Sequence, residues 1–149
     1  MLTGCGETGT VPKAPASPRA MTAEALRAVS VTAALDLPVQ ASVYAWRDFM
    51  PALGDSSVAH PLMISVQVRG GVVAPKALEC DAIYVVLADS VYSARPAEQR
   101  AGDGPGAIEC LMRGGPEWAV GSEIQVIIGV GAGAQRTLIR RETSIDATS

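Results

Sequence analysis

An antiparallel β-sandwich of seven to eight short strands is the fold class predicted by this 149-residue sequence. Two observations carry the prediction. Apolar residues recur at every second position far more often than at helical spacing, and turn residues interrupt the pattern at short, regular intervals. One short segment departs from it: Met21 to Ala28 is alanine-rich and reads as the sole helical candidate.

The strand candidates follow in order. Ala28 to Leu35 is rich in Val and Thr. Val39 to Phe49, "VQASVYAWRDF", sets Val43, Ala45 and Arg47 on one face against Tyr44, Trp46 and Asp48 on the other, and Pro51 with Gly54-Asp55-Ser56-Ser57 ends it. Pro61 to Arg69 alternates Met63-Ser65-Gln67 with Leu62-Ile64-Val66-Val68 before Gly70-Gly71 turns the chain. Cys80 to Ala88 is almost wholly apolar, as a strand covered on both faces must be. Asp89-Ser90 reads as a tight turn into Val91 to Ala94, and Arg95 to Gly106, "RPAEQRAGDGPG", as a long exposed loop.

Ile108 to Arg113 is a further strand, broken by Gly114-Gly115-Pro116, and Trp118 lies on a short extended piece that ends at Gly121. Glu123 to Gly129 and Gln135 to Arg141 then read as a hairpin across a glycine-rich turn. Immunoglobulin-like topology is the first expectation and a small barrel the second. In such a sandwich a tryptophan often packs beside an inter-sheet disulfide, and Trp46 or Trp118 is placed to do so.

Two glycine patterns imitate a dinucleotide-binding fingerprint, and neither has the surroundings it needs. Gly4-x-Gly6-x-x-Gly9 has no strand before it, and the prolines at 12, 15 and 18 preclude the helix that must follow. Gly129-x-Gly131-x-x-Ala134 does follow a strand, but the remaining residues are β-branched and polar, with no room for a crossover helix and a second parallel strand. No cofactor is expected.

Leu2-Thr3-Gly4-Cys5 resembles the lipobox of the bacterial lipoprotein family: an aliphatic residue, two small residues and a cysteine whose sulfur takes a diacylglyceryl group. The resemblance implies lipidation at Cys5 and a cell-envelope location. Gly6 after the cysteine favours the outer membrane under the family's sorting tendency. A secretory signal needs a charged start and an apolar stretch of about 7–15 residues, so this reading expects both upstream of Met1. Gly6 to Arg19 carries Gly, Thr, Pro, Ser and Ala with almost no large apolar side chain, the composition of a flexible tether. The chain accordingly divides into a lipobox remnant and tether over 1–20 and a β-sandwich domain over 21–149.

Cysteine usage fits this division. Of the three cysteines, Cys5 lies in the box and Cys80 and Cys110 lie within strand-like segments, so lipidation of Cys5 leaves a pair that forms a disulfide in an oxidising compartment or two buried thiols otherwise. No stretch approaches the roughly eighteen apolar residues of a membrane span, so attachment to a membrane is expected through Cys5 alone. A net charge of −3 and scattered basic residues argue against a nucleic-acid partner. Arg136, Arg140 and Arg141 are the one basic cluster, read as a solvated strand face.

The catalytic inventory is poor. His60 is the only histidine, it precedes Pro61 at a strand entrance, and no set of metal ligands can be assembled around it. Asp55, Ser56 and His60 crowd one loop, unlike a triad drawn from separated elements. Glu79, Asp81 and Glu109 would approach one another if Cys80 and Cys110 were bonded, and read as solvated edge carboxylates. The chain is thus expected to be non-catalytic and to hold no metal.

The most individual segment is "YAWRDFMP", which gathers Tyr44, Trp46 and Phe49 with Arg47 in a sequence holding only six aromatic residues. It reads either as a strand with one core face or as a binding surface for a protein, peptide or glycan, since aromatic and Arg side chains anchor interfaces. "WRDFMP" and "GPEWAVGSEIQV" (115–126) are similar to segments of small envelope lipoproteins. That likeness implies an immunoglobulin-like fold and assigns no activity. A binding or structural role in the envelope is the resulting expectation. The alternative is a protease inhibitor or an accessory subunit of an envelope enzyme, with the segment from Arg95 to Gly106 as its contact.

Overall fold

The structure, a computed structural model, describes residues 20–29, 39–49, 59–70, 78–104, 106–132 and 135–148. The lipobox with Cys5, the tether, most of the strand expected over Ala28 to Leu35, and Asp55 and Ser56 lie outside the described residues.

The described elements are helix α1 (Ala23–Arg27) and strands β1 (Gln40–Asp48), β2 (Leu62–Arg69), β3 (Leu78–Leu87), β4 (Ser90–Ala94), β5 (Glu98–Ala101), β6 (Ala107–Gly115), β7 (Glu123–Ala132) and β8 (Gln135–Thr148). The strands form one sheet in the order β4-β3-β7-β8-β1-β2-β6-β5, curled into a half-barrel so that its two halves face each other. We call β4-β3-β7-β8 the back half and β1-β2-β6-β5 the front half.

The all-β expectation holds, with one departure from an antiparallel arrangement: β1 and β8 run parallel, Ala45 to Asp48 beside Ile145 to Thr148. The cause is the length of β8. Its first ten residues, Gln135 to Ser144, pair antiparallel with β7, and only the remainder reaches β1. Where the two strands diverge, the backbone of β1 loses its neighbour, and Arg141 Nε donates to the Ala41 carbonyl at 2.7 Å in its place. Arg140 Nε likewise donates to Val29 O at 2.9 Å. These two arginines tie elements together, which corrects their reading as a solvated face.

Between the halves lies the main core, built from Ala45, Ile64, Val66, Val68, Ile83, Val85, Cys110, Met112, Val126, Ile128 and Ile139 among others. The disulfide Cys80–Cys110 crosses this core from β3 to β6, and of the two tryptophans Trp118 packs against the core cluster while Trp46 lies outside it. A bulge between Cys80 and Ala82 resets the parity of β3. Leu78 and Cys80 before it and Ile83 and Val85 after it all face inward. The extra residue lets one strand supply both the disulfide and the regular core face.

Helix α1 begins at Thr22, whose side chain accepts from the Ala25 N–H at 3.1 Å as an N-cap. It is shorter than the helical pattern Met21 to Ala28. Its one buried residue, Leu26, packs on Ala82, Tyr84, Val86 and Ile127, the outward side chains of the back half. β3 is thereby covered on both faces, as its apolar composition requires. Arg27 adds hydrogen bonds to Gln125 Oε1 at 3.0 Å and to the Ala88 carbonyl of the β3–β4 turn.

The segment Arg95 to Gly106, expected to be a loop, contains β5, an edge strand paired with β6 from Glu98↔Leu111 to Ala101↔Ile108. Its four residues are all exposed, so no apolar alternation marks it in the sequence. Ion pairs of Arg113 with Glu98 (2.9 Å) and Arg100 with Glu109 (2.8 Å) hold it instead. Beyond pairing with β6, the side chain of Gln99 reaches back to β3: its Oε1 accepts from Cys80 N at 2.9 Å and its Nε2 donates to Leu78 O at 3.4 Å. A single residue of a parallel neighbouring strand would make the same two bonds.

Candidate functional site

The two faces of β1 have different fates. Ala41 and Ala45 are buried and Val43 packs against the core, whereas Gln40, Ser42, Tyr44 and Asp48 are exposed. The strand period sends Tyr44 and Trp46 to the outside of the front half, where their rings stack 5.1 Å apart at 17°. Tyr44 keeps 45% of its surface exposed and Trp46 is half-buried, and neither belongs to the core cluster. The outer side of the back half, by contrast, is covered by α1.

Register with the neighbouring strands builds out the face. Trp46 lies opposite Met63, Tyr44 opposite Ser65, Ser42 opposite Gln67 and Gln40 opposite Arg69. On the other edge of β1, Trp46 neighbours Asp146. Farther out, Glu109 of β6 accepts from Ser65 Oγ at 2.6 Å and from Arg100 Nε at 2.8 Å. The Arg100 bond first and the Ser65 bond second hold the Glu109 carboxyl below its ordinary range, which fixes an ion-paired carboxylate on β6 opposite Gln67. Toward the Gln40 end of β1 a shallow cleft of about 120 Å³ is lined by Gln40, Ala41, Ser42, Gln67 and Arg69. The aromatic pair and the cleft share one strand: from Gln40 to Trp46 β1 spans about 20 Å at a strand's rise per residue.

Of the four residues singled out from the sequence, Tyr44 and Trp46 belong to this face and Arg47 and Phe49 do not. Arg47 points to the opposite side with only 11% of its side chain exposed. It donates to His60 O (2.7 Å) and Trp118 O (2.9 Å), pairs with Glu117 (3.2 Å) and lies 4.9 Å from the centre of the Phe49 ring. Phe49 packs on the His60 ring, whose Nδ1 lies 2.7 Å from Asp48 O. This cluster clamps the end of β1 to the segments entering β2 and β7. His60 serves it as a structural partner at the strand entrance, as its place beside Pro61 implies.

The acidic residues do not converge. Glu79 and Asp81 both pair with Arg136, at 3.4 and 3.3 Å, while Glu109 is held by Arg100. The glycines of the second fingerprint-like stretch make room for that arrangement. A Cβ at Gly131 would stand 1.4 Å from Arg136 Nη1 and one at Gly129 2.4 Å from Asp81 Oδ1. Among the described residues, no three His, Cys, Asp or Glu side chains gather as metal ligands.

Sequence reading missed Gln40, Ser42, Gln67 and Arg69 as neighbours of the aromatic pair. The alternation of β1 and β2 was visible, but the register that sets these side chains opposite one another was not. Compared with known proteins, the chain matches no family model, no curated protein and no solved structure.

Proposed function

We propose that this chain is a non-catalytic, lipid-anchored protein of the bacterial cell envelope that binds a partner through the outer face of its front half. The observation that carries the binding reading is the stacked Tyr44–Trp46 pair left outside the core on that face. Large aromatic side chains held in contact with water cost hydration free energy that packing would recover. Their retention on a rigid strand favours recognition.

The finer fold assignment belongs to the same reading. Taking β1 to β8 as strands A, B, C, C′, D, E, F and G gives an ABED half and a C′CFG half, the partition of immunoglobulin domains. The disulfide departs from that scheme by joining the C and E positions, where antibody domains join B and F. The lipid anchor rests on the Leu2-Thr3-Gly4-Cys5 box and on the pairing of Cys80 with Cys110, which leaves Cys5 as the odd cysteine.

Two measurements test the proposal. Labelled fatty acid should appear on the full gene product in its native host and vanish in Cys5→Ser; labelling of both alike, or of neither, overturns the anchor. The double variant Tyr44→Ala/Trp46→Ala should stay folded, with a midpoint close to the parent's, and lose retention on isolated cell envelopes. Unfolding of that variant, or undiminished retention, overturns the recognition face.

A further inference from the structure

We infer that the ligand of this face is an acidic saccharide that lies along β1, its ring stacked at the aromatic pair and its acidic group at Arg69. The inference rests on the recognition-face reading above and supplies its chemistry. Aromatic ring faces are electron-rich, and the C–H-bearing face of a pyranose is weakly positive, so the two associate without needing an apolar ligand. The rings of Tyr44 and Trp46 stack on each other, and Tyr44, 45% exposed, is the more open of the two to a ligand.

The cleft continues the same strand with different chemistry. Gln40, Ser42, Gln67 and Arg69 provide two amides, a hydroxyl and a guanidinium against a single alanine. These groups can pair with vicinal hydroxyls and a carboxylate, although Gln67 Oε1 already accepts from Asp103 N at 3.4 Å. At about 120 Å³ the cleft falls below the roughly 300 Å³ at which clefts for drug-sized molecules begin. It takes one end group while the rest of the ligand lies on the sheet.

Charge fixes the direction. Arg69 forms no ion pair with another described residue, whereas Arg100 and Arg113 are paired with Glu109 and Glu98. At the Trp46 end the face carries Asp48 and Asp146, whereas Glu109, opposite Gln67 on β6, is already paired with Arg100. An anionic group is drawn to Arg69 and repelled from the far end, so an acidic chain binds in one orientation. The charge-assisted bonds available at Arg69 correspond to about tenfold in affinity or more.

The test uses an array of uronic-acid oligosaccharides, each beside its carboxyl-reduced neutral counterpart, probed with the full chain and two variants. The parent should retain acidic members at least about tenfold better than their neutral counterparts. Arg69→Gln should abolish that preference while leaving weak binding to both, and Tyr44→Ala/Trp46→Ala should lose both. Equal binding of acidic and neutral members, or a preference that survives Arg69→Gln, overturns the placement of the acid. If the array retains nothing while envelope retention still depends on Tyr44 and Trp46, the saccharide is overturned and the recognition face stands.

Discussion

Opening the Cys80–Cys110 disulfide should cost this domain about 3.6 kcal/mol. The bond closes a loop of 30 residues, and in the chain-entropy model its removal returns about 12 cal/mol/K to the unfolded chain, which at 298 K is that free energy. The native state loses little in return. Cys80 is 7% exposed and Cys110 fully buried, and both thiols stay as small apolar groups within the core. The loop runs through β4 and β5 and joins the two halves of the sheet, so no other covalent tie replaces it. With a urea m-value of about 2 kcal/mol/M, the transition midpoint should fall by about 1.8 M. Trp46 and Trp118 report the transition by fluorescence, with and without reductant, and Cys80→Ala/Cys110→Ala provides the irreversible comparison. Coincident midpoints in oxidised and reduced protein would refute the reasoning, since they would mean that the facing halves hold together as well without the tie.

Arg47→Ala should destabilise by about 3 kcal/mol, because two charge-assisted bonds to the His60 and Trp118 carbonyls vanish together; a urea midpoint within error of the parent would remove the clamp assignment. Ala88→Gly should stabilise by about 1 kcal/mol, since Ala88 holds φ at 53° in the two-residue turn between β3 and β4, and an unchanged or lowered thermal midpoint would count against strain there. Glu109 makes stability pH-dependent. Its carboxyl is lowered in the folded state, so its contribution is present above the ordinary carboxyl range and is lost as pH falls through the lowered value. The stability gap between the parent and Glu109→Gln should therefore be full near pH 6 and close in acid, and a gap constant from pH 6 to 3 would exclude this linkage.

How much of this was legible in the sequence depended on whether each element carried its own period. β1 and β2 alternate cleanly, and their inward and outward residues fall as the pattern dictates. β3 betrayed its double burial by composition, although the identity of its second cover, Leu26 of α1, is a tertiary fact. β5 left no trace because an edge strand exposed on both sides has no apolar face to alternate. Arg140 and Arg141 looked solvated because arginine is usually outside; here their guanidinium groups donate to backbone carbonyls, Arg141 to Ala41 O of β1 where β8 has diverged and Arg140 to Val29 O just after α1. The candidate face was half legible for a related reason. Its aromatic residues are adjacent in sequence, whereas its polar cleft is created by pairing Gln40 with Arg69 and Ser42 with Gln67.

Gln99 bears on how the protein behaves when crowded. An unguarded strand border templates the addition of foreign chains, the first step towards fibrils, and the stretch from Leu78 to Cys80 would present such a border beyond the reach of β4. The glutamine amide occupies the donor and acceptor that an incoming chain would seek there. One side chain thus withholds this stretch from runaway polymerisation without the expense of a ninth strand.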